Sequence, residues 1–106
     1  MPRRIAVDRD TVGQAVQYWR LVHGWTEDEL AARATAALRG RGGTERITAA
    51  WIRVMEQRAG AVLGTISVPR LVALADALEV SLETLAPDAA RALGWQTRDA
   101  ARDPGP

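Results

Sequence analysis

Apolar residues recur at helical spacing along most of the chain, and the breaks fall at glycine, proline and capping residues. Val12, Val16, Trp19 and Val22 or His23 predict a first helix from about Asp10 to His23, capped by Asp10 and stopped by Gly24. Thr26 is then an N-cap with Glu29 at the capping-box position, and Glu27 and Asp28 suit the positive end of the helix dipole. The helix that starts there carries Leu30, Ala31 and Ala34 and extends toward Leu38, before Arg39-Gly40-Arg41-Gly42-Gly43 breaks it. Thr44 or Ile47-Thr48 opens a third helix, read as Thr48 to about Ala59, with Ile52, Met55 and Trp51 toward the inside and Arg53 and Arg58 elsewhere. Gly60 to Ser67 reads as a loop. A fourth helix from Val68 or Pro69 holds Leu71, Leu74, Ala75 and Leu78, with Pro69 in the first turn where its missing N–H costs nothing. Ser81 caps a short fifth helix with Leu82 and Leu85, which stops before Pro87.

These elements predict an all-α domain of five helices with an extended turn between helices two and three. The divisions are an N-terminal arm over 1–9, the helical domain over 10–87, a short C-terminal helix over 88–96 and a disordered tail over 97–106. Composition agrees with helices. The 106 residues contain no Phe, one Tyr and four Trp, so the core volume comes from Trp, Leu, Val, Ile and Ala. The absence of Cys removes disulfides and thiolate metal sites, and no apolar run has the length of a signal peptide or a membrane span. The expectation is a cytoplasmic protein without a membrane partner, metal or cofactor.

Net charge is only +1, yet its distribution is uneven. Arg33 to Arg58 holds six Arg (33, 39, 41, 46, 53, 58) against Glu45 and Glu56, a balance of +4. Asp8 to Ala32 and Ala59 to Asp88 each stand at −3. A basic middle between acidic shoulders points to a contact face for a polyanion, with a merely solvated set of arginines as the plainer reading. An enzyme has little to work with: one His, no Cys, two Ser and no paired carboxylates in a plausible cleft. His23, beside Gly24, reads as a helix C-terminal residue favoured by the dipole.

Two short helices joined by a glycine-containing turn, the second of them basic, are what a major-groove reader requires. Val12-Gly13, Arg20, Gly24-Trp25-Thr26, Glu29-Leu30-Ala31, Ile47-Thr48, Ile52, Met55-Glu56 and the run Leu74 to Leu85 resemble the Xre-type helix-turn-helix regulators, the Cro and phage-repressor class. The resemblance spans about Val12 to Leu85. It implies a lambda-repressor-like fold, a transcriptional regulator that binds double-stranded DNA as a homodimer, and a recognition helix at about 48–59. It also implies a structural ion pair between Arg20 and Glu56.

The DNA-contact candidates are Thr26, Arg39, Arg41, Arg46, Thr48, Ala49, Ala50, Trp51, Arg53, Val54 and Arg58. The chain departs from the family in three places. About ten extra residues separate helices two and three, and their arginines serve either phosphate contacts or a flexible spacer. Ala49, Ala50 and Val54 occupy readout positions and offer only methyl contacts to thymine, leaving Thr48, Arg46 and Arg53 for phosphate or guanine. Glu27 stands where the family often carries a phosphate-touching Gln. Trp51 either packs against the long turn or stays exposed. The apolar loop Gly60 to Gly64 and the residues after Pro87 are candidate dimer surfaces, and Arg3 and Arg4 either enter a minor groove or do nothing. The rival reading is a protein-interaction module of the same fold, an antitoxin or co-regulator, using Trp51, Val62-Leu63 and Trp95 against a protein partner.

Overall fold

A computed structural model describes residues 3–57 and 63–94. In chain order the elements are β1 (Arg4–Asp8), α1 (Arg9–His23), α2 (Glu27–Gly40), α3 (Ala49–Gln57), β2 (Leu63–Ser67), α4 (Val68–Leu78), α5 (Leu82–Leu85) and α6 (Pro87–Ala92). The protein is therefore a mostly helical small domain with a two-stranded sheet, which corrects the expectation of helices alone.

The sheet replaces two stretches read as irregular, the N-terminal arm and the loop before Val68. β1 and β2 pair antiparallel with Arg4 opposite Ser67 and Asp8 opposite Leu63. Ile5 faces Ile66 on the inner side, and Val7 and Ile66 are buried. The Val68 N–H donates to the Arg3 carbonyl at 2.7 Å, which extends the pairing by one bond. Arg4 adds a clasp on the other side, with Nε donating to Thr65 Oγ1 at 3.0 Å and Nη2 to the Thr65 carbonyl at 2.9 Å.

β1 also resets the start of α1. Asp8, not Asp10, is the cap: its Oδ1 accepts from the N–H groups of Asp10 at 3.1 Å and Thr11 at 3.3 Å. Asp10 lies one residue inside the helix, where its carboxylate accepts from Gln14 Nε2 at 3.0 Å. Gly24 ends α1 in the left-handed region at φ 76°, open to glycine at little cost. α2 begins with the full capping box: Thr26 Oγ1 accepts from the Glu29 N–H at 3.1 Å and Glu29 Oε1 from the Thr26 N–H at 2.8 Å. It continues two residues past Leu38, to Gly40.

The core gathers the helical stripes. Val12, Val16, Leu30, Ala34, Leu38, Ile52, Met55, Leu71, Leu74, Leu78, Leu82 and Leu85 are all buried in one cluster. α2 packs on α4 and α1 on α3. The α1–α3 approach is close enough that a Cβ at Gly13 would collide with the Met55 carbonyl. Ser67 caps α4 through the Arg70 N–H, and Ser81 caps α5 through the Thr84 N–H at 3.0 Å. α6 lies against α5 and β1 and buries Ala89 and Ala90. Those residues, expected as part of a dimer surface, belong to the chain's own core. The tail 97–106 and Trp95 lie outside the described residues.

Candidate nucleic-acid interface

α3 is short and two-faced. Ile52 and Met55 enter the core, while Ala50, Arg53, Val54 and Gln57 form an exposed stripe at i, i+3, i+4 and i+7. Thr48 caps the helix by accepting from the Trp51 N–H at 3.1 Å. Ala49 and Trp51 are half-buried against the core. Trp51 carries the Arg70 guanidinium over its ring at 5.4 Å, so the indole packs between α3 and α4 instead of standing free. Arg58 lies outside the described residues.

Two ion pairs fix α3. Arg20 Nε donates to Glu56 Oε2 at 2.8 Å and Nη2 to Oε1 at 2.9 Å, a two-pronged contact joining α1 to α3. Its remaining Nη1 donates to the Trp25 carbonyl at 2.9 Å, so the same guanidinium also ties down the entry to α2. Glu56 is 1% exposed and Arg20 12%. The Glu56 hydrogen bonds raise the Arg20 pKa above its ordinary value against the opposing effect of burial, with Glu56 and Glu27 adding field. The second pair is Arg53 Nε to Glu27 Oε1 at 3.1 Å, between α3 and the first residue of α2, with Arg53 49% and Glu27 21% exposed.

The long turn from Arg41 to Thr48 is built on internal contacts. Ile47 is buried, and its carbonyl accepts from Thr35 Oγ1 at 3.1 Å. Arg39 Nη1 donates to the carbonyls of Gly43 at 3.0 Å and Glu45 at 2.7 Å. Arg41 pairs with Asp76 of α4, whose carboxylate raises the arginine's pKa. Glu45 accepts from Ser67 Oγ at 2.8 Å and faces Arg70 at 3.5 Å, while Arg70 Nε donates to the Arg46 carbonyl at 2.9 Å. This turn is thus tied to α2, β2 and α4 by hydrogen bonds and ion pairs, with Ile47 as its buried anchor.

The arginine-rich run therefore does not converge on one face. Arg33 stacks over Trp25 at 4.2 Å, Arg39 turns onto its own turn, and Arg41 reaches α4. Arg46 and Arg53 are the two expected contact arginines left exposed around α3, and Arg46 has no acidic partner among the described residues. Thr26 serves the capping box. Sequence reasoning did not anticipate Gln57, which extends the stripe by a turn, or Arg70, which braces Trp51. His23 Nε2 lies 2.7 Å from the Leu78 carbonyl, and the ring stacks on Trp25 at 4.2 Å, so it links the ends of α1 and α4.

Among the described residues no group of three His, Cys, Asp or Glu could hold a metal ion, and no helix is long and apolar enough to cross a membrane. Comparison of the chain with family models, curated proteins and solved structures finds no match.

Proposed function

We propose that this protein is a transcriptional regulator of the repressor-like helix-turn-helix class, with α2 and α3 as the motif and α3 entering the major groove of double-stranded DNA. The observation that carries the reading is the stripe Ala50, Arg53, Val54, Gln57. Its small side chains let the helix approach a groove floor, its arginine and amide supply polar contacts, and its opposite side is locked to α1 by Arg20 and Glu56. Val54 and Ala50 suit thymine methyl groups, and Arg46 suits phosphate.

The test is duplex binding by the purified protein after selection from a random pool. Arg46→Ala is expected to weaken binding across all sequences and to lower the log–log salt slope by about 0.9, the effect of one lost phosphate contact. Arg53→Ala is expected to weaken the selected site by about 1–3 kcal/mol. No selectable duplex at low salt would overturn the reading.

A homodimer is part of this proposal, and α1 supplies its surface. Tyr18, Leu21 and Val22 are 60%, 61% and 56% exposed, and they share a face with Gln14 and Gln17. From Gln14 to Val22 that face carries no charged side chain, its one carboxylate being Asp10 at the N-terminal end, so a second copy related by a two-fold axis can meet the apolar centre without like charges opposed. Leu21→Glu is expected to turn a sedimenting dimer into a monomer without unfolding it. The same stripe favours the second reading, a protein-interaction module, in which Leu21→Glu releases a heterologous partner while the chain alone is monomeric throughout.

A further inference from the structure

We propose that Glu27 is a positioning residue for Arg53, holding its guanidinium for a guanine while keeping it from phosphate; this rests on the DNA-binding reading above. The Glu27 carboxylate takes only the side N–H of Arg53, the Nε, at 3.1 Å. The end of the guanidinium, with the N–H groups of Nη1 and Nη2, has no partner among the described residues, and the side chain is half-exposed on the outward stripe of α3. Anchoring Nε fixes the plane of the fork and leaves free the edge that matches guanine O6 and N7. Ala50 and Val54 flank Arg53 without blocking that edge.

Charge decides which acceptor gains. The Arg53–Glu27 pair is neutral, so a phosphate meeting the fork also meets the carboxylate behind it, whereas guanine offers two acceptors and no net charge. Glu27 stands in the first turn of α2, where an acidic side chain faces the positive end of the helix dipole. At the start of that helix, elsewhere a resting place for phosphate, the Thr26–Glu29 capping box occupies the N–H groups of Thr26 and Glu29, and the acidic side chains of Glu27, Asp28 and Glu29 oppose an incoming phosphate. Arg53 is thereby withdrawn from non-specific backbone binding and reserved for base recognition.

The experiment compares the parent, Glu27→Gln, Glu27→Ala, Arg53→Ala and Glu27→Ala/Arg53→Ala on a selected duplex, on the same duplex with each G·C changed to A·T, and on random duplex at several salt concentrations. The parent is expected to lose about 5–150-fold at one guanine per half-site. Glu27→Gln keeps an acceptor for Nε but loses the charge. It is expected to bind random duplex about fivefold tighter, with a salt slope steeper by about 0.9. Glu27→Ala loses the acceptor as well, and its discrimination at that guanine is expected to fall at least about fivefold, to the level of both Arg53 variants. Melting curves that stay together show that the fold is intact. Unchanged guanine discrimination in Glu27→Ala, a parent with no guanine preference, or random-duplex affinity that does not rise in Glu27→Gln overturns the inference alone. A parent that binds no duplex removes the DNA-binding reading and this inference with it.

Discussion

The two arginine–glutamate pairs on α3 use the same chemistry and differ in burial. Arg20–Glu56 is two-pronged, with a carboxylate 1% exposed and a third N–H bonded to the Trp25 carbonyl. Arg53–Glu27 is held through one nitrogen, with its arginine 49% exposed. Desolvation makes the first pair costly to break, because either partner alone is a buried uncompensated charge. Water makes the second cheap to exchange, because a released guanidinium is hydrated at once. One pair therefore fixes where α3 stands, and the other orients a guanidinium whose outer edge stays open to water.

The comparison breaks first at the buried pair. Arg20→Ala is expected to cost about 3–5 kcal/mol in urea unfolding. Replacing both members, Arg20→Met with Glu56→Leu, is expected to recover most of that loss, since no charge is left behind. Gly13→Ala attacks the same α1–α3 contact sterically, through the Met55 carbonyl, and is expected to cost about 1–3 kcal/mol. Glu27→Ala is expected to change stability by less than about 1 kcal/mol, and raising the salt is expected to shrink even that. A loss from Glu27→Ala as large as that from Arg20→Ala would erase the distinction.

Alkaline pH offers a further, smaller discriminator. The folded-state pKa of Arg20 is raised, so its contribution is fully present below the unfolded value and is lost only as pH rises through the folded one, in strong alkali. The stability difference between parent and Arg20→Ala is therefore expected to stay level from about pH 6 to about pH 10.

What could be read from the sequence follows the range of each interaction. Thr26 with Glu29, Gly24, Pro69 and Ser81 with Leu82 and Leu85 are local signals, and the helix ends they mark are where the structure has them. The inward side of α3, Ile52 and Met55, was legible as periodicity, whereas Ala50 and Val54 on the outward stripe came from the resemblance and Gln57 from neither. The sheet was not, because Ile5, Val7 and Ile66 are three apolar residues in two short runs, and only pairing across the whole domain gives them an inner face. The basic run misled for a related reason. Arg33, Arg39 and Arg41 are neighbours in sequence, but their partners are an indole, turn carbonyls and Asp76 on another helix. Glu27 was recognisable as an unusual residue, whereas its union with Arg53 is a contact across two helices between residues 26 positions apart in sequence, which no local signal marks.

The sheet also has a consequence in time. Its first strand leaves the ribosome about 60 residues ahead of its partner, and at roughly 5–20 residues per second that is an interval of about 3–12 s. During it Ile5 and Val7 have no second strand, while α1, α2 and α3 are already made. Joining β1 to β2 then brings together the two ends of the segment that holds α1, α2 and α3. An Ile66→Asp change, which spoils the strand but none of the helix caps, is expected to raise the unfolding rate far more than it slows the formation of helical circular dichroism.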